Sequence, residues 1–397
     1  MNTISSSAID SLFSVTVPQQ TQKDSIAAMA LSRGTDAFTN GDYDTAITEF
    51  KRTVGLSPYS DNSLKALQLM VNAYKQQGKT DDEIKTWQLA SKLFPQSDIP
   101  YSGLGDIYFG QKNYAEAEKA YTMAVRLNPA ISSNVYALGQ VYMAQERYSD
   151  AEVEFKKATL YAPTDPSGYY ALGQVYRKMG RLDDAVTLLN KSIQINGKFA
   201  DAHLELGMVY ADMKNNNAAT DQYNILANLD ESSSTELQNY MFKIAAPKII
   251  AAYNTSGFEA SSGPGTTVSS MDPDLSDPGS SKLFTMNFIF SKDLDPSSVQ
   301  NIANWLISRS SVTDPGGPYD WGLPTQSSEA SISPLPVSVI YNNDNLTATV
   351  SFKISQNSTG DATLDPQHIM FKFLGADTYG NIVDQSADQY SGISQIA

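Results

Sequence analysis

A spacing of 34 residues constrains this chain more than any other feature. Gly105, Gly139, Gly173 and Gly207 recur at that interval. So do Tyr108, Tyr142, Tyr176 and Tyr210, and so do Pro95, Pro129 and Pro163. A fixed period in this range means that one small structural unit is copied along the chain. Such a unit cannot bury its apolar face alone, so neighbours must stack to make a core. The register extends in both directions. Units begin at 27, 64, 98, 132, 166 and 200, with residues 61–63 inserted after the first. A recurring proline breaks any regular helix, so it marks a boundary in each unit that carries it.

The third unit carries Tyr101, Leu104, Gly105, Tyr108, Ala117, Tyr121, Ala124 and Pro129; the fourth carries Leu138, Gly139, Tyr142, Ala151, Phe155, Ala158 and Pro163. This pattern resembles the tetratricopeptide repeat (TPR) family over about half the chain. The second unit departs from it at Met70-Val71 and Glu83, and the fifth and sixth lack the closing proline, having Gly197 and Ser232. Glu236 to Ile244, with Leu237, Tyr240, Met241 and Ile244 at helical spacing, is the expected capping helix.

At Pro247 the chemistry changes to Ser, Thr, Asp, Asn, Pro and Gly with alternating apolar runs. Strands are expected at Ile249–Tyr253, Leu283–Phe290, Trp305–Val312, Val337–Tyr341, Thr347–Ile354 and Ile369–Leu374. Asn342 to Asn345 supplies a hairpin turn. Short strands with turn signals argue for a β-sandwich. Phe290-Ser-Lys-Asp-Leu-Asp-Pro-Ser-Ser-Val299, Asn304-Trp305 and Gly375 to Asn381 resemble bacterial Ig-like domains of surface and S-layer-type proteins. Two insertions, 254–281 and 313–336, exceed ordinary loop lengths. The expected fold class is thus multidomain, all-α plus all-β. A flexible N-terminal arm spans 1–26, a TPR α-solenoid with its cap spans 27–246, and an Ig-like β-sandwich spans 247–397.

Charge and composition narrow the partners. The net charge is -15. Residues 1–246 hold 22 Lys/Arg against 28 Asp/Glu, and residues 247–397 hold 6 against 15. An acidic chain is repelled by phosphate backbones and anionic lipid, so nucleic acid is excluded as the expected partner. No apolar run reaches the ~18 residues of a membrane span, so no membrane insertion is expected. The stretch before Lys23 has no basic residue, so it does not read as a Sec signal peptide. Cysteine is absent, which removes disulfides and thiolate chemistry. The thiol-free acidic sandwich points to a bacterial surface or extracellular setting, with the cytoplasm as the alternative.

The resemblance implies a groove lined by the first helix of each unit. Family offsets place there Asn72, Lys75, Asp106, Phe109, Tyr136, Gln140, Met143, Tyr170, Gln174, Arg177 and Met208. Tyr136 and Tyr170 are equivalent positions, as are Gln140 and Gln174. A ladder of phenols and amides can bind an extended peptide backbone; the competing reading packs the tyrosines on neighbouring helices. Asn72, Lys75 and Arg177 are not in consecutive units, which argues against a carboxylate clamp. Arg177, Lys178 and Arg181 read as a solvated basic face. Phe13, Val15 and Val17 alternate with Ser14 and Thr16, a strand signal for an arm that could join a neighbouring subunit into a homo-oligomer.

Chemistry-bearing clusters are sparse. His203 and His368 are the two histidines and lie in no ligand pattern. Asp272, Asp274, Asp277, Asp293 and Asp295 fall in acidic loops that can take Ca²⁺, but without the twelve-residue EF-hand pattern, turn formation is the preferred account. Trp305 reads as core. Tyr319 and Trp321 sit in the second insertion, where an exposed ring could stack on a glycan. No nucleophile–histidine pairing or phosphate-cradling loop is present, so no catalysis and no cofactor are expected. The reading is a non-enzymatic protein-interaction scaffold, with a self-assembling structural subunit or a glycan-binding surface protein as alternatives.

Overall fold

The computed structural model describes residues 6–256, 262–314 and 317–393, with side chains in the first helix described from Gln19 onward. Parts of both insertions, 257–261 and 315–316, therefore lie outside the described residues. The chain divides into two compact units, Met1–Leu237 and Gln238–Ala397.

The first unit is a run of helices taken in pairs: α1 Ser6–Thr39 with α2 Tyr43–Leu56, α3 Asp61–Gln76 with α4 Thr80–Leu93, and α5 Ile99–Gly110 with α6 Tyr114–Leu127. Then come α7 Ser132–Ala144 with α8 Tyr148–Tyr161, α9 Pro166–Lys178 with α10 Leu182–Ile195, and α11 Ala200–Asp212 with α12 Asn216–Leu229. The last helix, α13, runs Glu231–Ile244 and starts five residues before the expected cap.

The period has a direct steric cause. A Cβ built on Gly139 would lie 2.6 Å from Phe155 of α8, and one on Gly105 the same distance from Tyr121 of α6. Gly34 and Gly173 stand in the same relation to Phe50 and Leu189. Each glycine lets its helix approach the aromatic or leucine sixteen residues on. Gly207 breaks the rule, because Leu237 of α13 takes that place. The cap thus fills the final slot with a side chain from outside the repeat.

A second periodic signal lies in the turns between paired helices. Gly41, Gly78, Lys112, Glu146, Gly180 and Lys214 all have positive φ, from 58° to 81°. The turns demand a left-handed residue, which glycine supplies at no steric cost and the other three supply under strain.

The N-terminal arm departs from expectation. Phe13, Val15 and Val17 lie within α1, not in a strand, and their side chains are outside the described residues. The physical reason is cooperativity. Ala27, Ala30 and Leu31 bury one face of α1, and extending a formed helix upstream costs far less than nucleating a strand without a partner. Five alternating residues were too short a signal to compete. Residues 19–26 likewise belong to α1, where Asp24 accepts a hydrogen bond from Ser57 at 2.6 Å.

The second unit is antiparallel β. Its strands are β1 Ile249–Asn254, β2 Thr266–Thr267, β3 Ser281–Phe290, β4 Trp305–Arg309, β5 Ser331–Ile332, β6 Ser338–Asn342, β7 Thr347–Ser355, β8 Thr363–Leu364, β9 Ile369–Phe373 and β10 Gln389–Ser391. One sheet runs β1-β3-β7, with β5 and β6 both along the far edge of β7. A second runs β10-β9-β4, and β2 pairs β8. Alternation along β3 turns Phe284, Met286, Phe288 and Phe290 inward, all fully buried. Phe288 packs 5.2 Å from Trp305 and 5.4 Å from Phe371, so both main sheets share one aromatic core. The β6–β7 turn ends in Leu346 at φ 56°, a left-handed residue that the run of asparagines did not foretell.

Also within the second unit, Lys292 is buried against Asp377 at 2.6 Å. Its ammonium donates to the carbonyls of Phe242 at 2.8 Å and Ala245 at 2.7 Å. The charge is thereby fully used, as a buried lysine requires.

Candidate functional site

The first helices present a hydrogen-bonded ladder. On α7, Gln140 Nε2 donates to Tyr136 Oη at 2.8 Å. One repeat on, in α9, Gln174 Nε2 donates to Tyr170 Oη, also at 2.8 Å. The partners lie four residues apart, one helical turn, so local geometry alone brings them together. Each phenol also packs an aromatic ring: Tyr136 on Phe155 at 5.3 Å, Tyr170 on Phe199 at 5.1 Å. The rings thus pack on their neighbours, as the competing reading has it. The rings are structural and half-buried, and the polar ends form a row on the surface.

Beyond the ladder lies an ionic knot. Arg177 Nε donates to Asp212 at 2.7 Å, and its Nη1 donates to Glu205 at 3.1 Å and to the Met208 sulfur at 3.3 Å. Gln174 reaches the other Glu205 oxygen at 3.4 Å. Burial works against the guanidinium charge, but the bonds to Asp212 and Glu205 outweigh it and hold the Arg177 pKa above its ordinary value. Arg177 is therefore not part of a solvated basic face, as its neighbours suggested. Its side chain is 13% exposed. Arg181 is also engaged, lying over Tyr176 at 4.0 Å and pairing with Asp184 and Glu152. Met208 is buried beneath Arg177.

The structure thus brings Tyr136 with Gln140, and Tyr170, Gln174, Arg177 and Met208 into one network. Asn72 and Lys75 are exposed on α3 and Asp106 on α5, with no hydrogen bond to it among the described residues. Asp106 instead accepts from Tyr121 at 2.5 Å. Phe109 packs on Tyr114 at 5.8 Å. Met143 is half-buried against the aromatic cluster of the fourth and fifth repeats.

Sequence reasoning missed the carboxylates around the ladder. Asp165 caps α9, its oxygen accepting from Ser167 N–H at 2.9 Å. It also lines a pocket of about 170 Å³ with Ser132, Ser133, Tyr136, Ala158, Ala162, Ser167 and Gly168. Burial raises the Tyr136 hydroxyl pKa, the Gln140 hydrogen bond opposes it, and Asp165 and Asp201 add to the rise. Tyr170 is raised by burial first, then by Glu205 and Asp201, with Glu236 adding to them. The signal was present in the sequence as acids at the starts of first helices, but only folding shows that they face the same phenols.

Most of the other singled-out residues are engaged within their own folds. Lys282 pairs with Asp272 at 2.9 Å and Asp274 at 2.7 Å, and Asp295 caps the turn at Ser297. Among the described residues no group of three or more His, Asp or Glu is placed to hold a metal. His203 is bonded to Gln222 and Gly197, and His368 to Asp365. Trp305 is core, whereas Trp321 is 79% exposed on a left-handed segment, φ 44° at Asp320 and 59° at Trp321. Asp365 holds this segment through the Asp320 N–H at 2.9 Å.

Comparison with known families fits the helical geometry. Residues 100–130 match the tetratricopeptide repeat model, and residues 139–180 and 173–214 match a TPR repeat model. The helices over 100–130 and 139–214 thus carry tetratricopeptide repeats. TPR modules mediate protein–protein interaction and are generally non-catalytic. Similar solved structures include MamA, at 24% identity over 44% of this chain and 94% of MamA, TM-score 0.39. Another is pilF of Pseudomonas aeruginosa, at 17% identity over 55% of this chain and 99% of that one, TM-score 0.45. A tetratricopeptide repeat protein of Parabacteroides merdae is 16% identical over 55% of this chain and 86% of its own, TM-score 0.47. No protein of curated function matches the sequence. No helix among the described residues is long and apolar enough to cross a membrane.

Proposed function

We propose that this chain is a non-enzymatic interaction scaffold whose TPR unit holds an extended segment of a partner protein along its first helices. The observation that carries this reading is the repeated pair, Tyr136–Gln140 and Tyr170–Gln174, with the same 2.8 Å bond in successive repeats. Repeats at a fixed rise present the same polar group at regular intervals, which suits the regular backbone of an extended peptide. Each glutamine is held in one orientation by its phenol, which lowers the ordering cost of a further hydrogen bond.

The β unit, 247–397, is read as an Ig-like sandwich displayed at a bacterial surface or in an extracellular assembly, on the strength of its motifs and its thiol-free acidic composition. Glycan contact through Trp321 is the second reading, favoured by that ring's exposure. Self-assembly through the N-terminal segment would use a helix, since residues 13–17 lie in α1.

The test uses substitutions that spare packing. Tyr136→Phe and Tyr170→Phe keep the rings on Phe155 and Phe199, and Gln140→Ala and Gln174→Ala remove the amides. The quadruple variant is expected to keep its thermal midpoint and lose at least tenfold in affinity for any peptide selected on the full chain. Unchanged affinity removes the ladder from the binding account.

A further inference from the structure

Acids predominate around the ladder. On α7, α9 and α11 the basic residues are Arg177 and Lys178, and the acids are Asp201, Glu205 and Asp212. Arg177 is consumed by Glu205 and Asp212. Asp201, Asp165 and Glu236 are exposed and form no ion pair among the described residues. The carboxylates of Asp165, Asp201, Glu205 and Glu236 act on the two phenols.

The pocket beside Tyr136 adds shape to that charge. Its wall is apolar at Ala158, Ala162 and Gly168, and its rim carries Asp165 with the hydroxyls of Ser132, Ser133 and Ser167. An aliphatic stem with a cationic head matches such a lining, because Lys and Arg bury the stem and keep the charge at a polar edge. Helix ends do not reverse the sign. The positive half-charges at the starts of α7 and α9 are offset by the negative end of α8 and by the full charge on Asp165.

We propose that the face of α7, α9 and α11 takes an extended polypeptide segment rich in Lys and Arg, with one cationic side chain seated in the Asp165 pocket. This rests on the peptide-binding reading of the TPR unit. The occupant is another protein and not a second copy of this chain. The chain carries -15, and its first 22 residues contain no Lys or Arg. In its densest basic stretch, Arg177 to Arg181, both arginines are already paired within their own fold.

The experiment is fluorescence anisotropy on the full chain with three labelled peptides of about a dozen residues, alternating Ser with Lys, Gln or Glu. The lysine peptide is expected to bind, the glutamine peptide at least roughly tenfold more weakly, and the glutamate peptide not at all. Asp165→Asn keeps the cap, since Asn caps as well as Asp, and Asp201→Asn with Glu236→Gln alters exposed groups alone. The triple variant is expected to lose about tenfold for the lysine peptide and nothing for the glutamine peptide, whereas Asp183→Asn with Asp184→Asn on α10 changes neither. Equal binding of the lysine and glutamine peptides, both weakened by the Tyr→Phe and Gln→Ala ladder variants, overturns the charge inference and leaves the groove standing. Lysine-peptide binding that responds to Asp183 and Asp184 but not to the ladder overturns both. No lysine-specific binding overturns the inference outright.

Discussion

Replacing Gly139 by Ala tests whether close helix approach is what sets the 34-residue period. In an exposed helix, Gly→Ala gains about 1 kcal/mol from backbone propensity. At Gly139 the added Cβ would lie 2.6 Å from Phe155 Cε1, 2.8 Å from Cδ1 and 3.0 Å from Cζ. Carbon atoms separate at ~3.5–4.0 Å, so the ring must retreat by about 1 Å. It has little room, since Phe155 is fully buried and packs on Tyr136 at 5.3 Å. Overpacking of this kind costs ~1–3 kcal/mol, with strain from ring displacement at the upper end. We expect a net loss of about 1–2 kcal/mol, or roughly 3–6 °C in the helical melting midpoint. The control is Gly55→Ala, where no atom lies within 4 Å of the new Cβ and stabilisation is expected. Far-ultraviolet circular dichroism reads both. A double variant with Phe155→Ala should be less destabilised than the sum of its parts by about 1 kcal/mol. If Gly139→Ala stabilises as Gly55→Ala does, the steric origin of the repeat is wrong.

Three further outcomes follow from local geometry. Glu146→Gly relieves a left-handed residue at φ 60° and should raise the melting midpoint, by about 0.5–1 kcal/mol once the looser unfolded chain is counted; a lower midpoint contradicts the strain argument. Burial raises the Glu83 carboxyl pKa above its ordinary 4.5, with Lys75 opposing. Its folded pKa exceeds the unfolded one, so the native state loses stability as pH rises past the ordinary value. Glu83→Gln should therefore stabilise at neutral pH and converge on the parent near pH 4.5, and destabilisation at neutral pH would show that the helix dipole at α4 dominates. Lys292→Met strips the partner from Asp377, whose side chain is 0% exposed, and should cost about 3–5 kcal/mol in the near-ultraviolet melt of the β unit; a loss below ~1 kcal/mol would mean that water replaces the ammonium.

Much of the helical unit was legible because its period is imposed by sterics. A Cβ cannot fit at Gly105, Gly139 or Gly173, so the glycines had to appear where they do. The alternation of β3 was equally plain, since one face is buried against the other sheet and a one-residue slip would expose four large side chains. The N-terminal strand was misread because five alternating residues cannot reveal that α1 extends through them. Nor could the sequence distinguish Arg177 from a solvated cation, because its partners Glu205 and Asp212 lie 28 and 35 residues away. The Asp165 pocket combines three helices, and spacing within any one of them says nothing of it. Elements with local causes could be read; side-chain networks across repeats could not.

The central claim, that the first helices of the TPR unit hold an extended polypeptide, is tested most directly by hydrogen–deuterium exchange. The full chain is compared with and without a saturating peptide selected from a random unstructured library. Protection confined to α7, α9 and α11 is the predicted result. Protection on α8, α10 and α12, or in the β unit around Trp321, with the first helices unchanged, would contradict it.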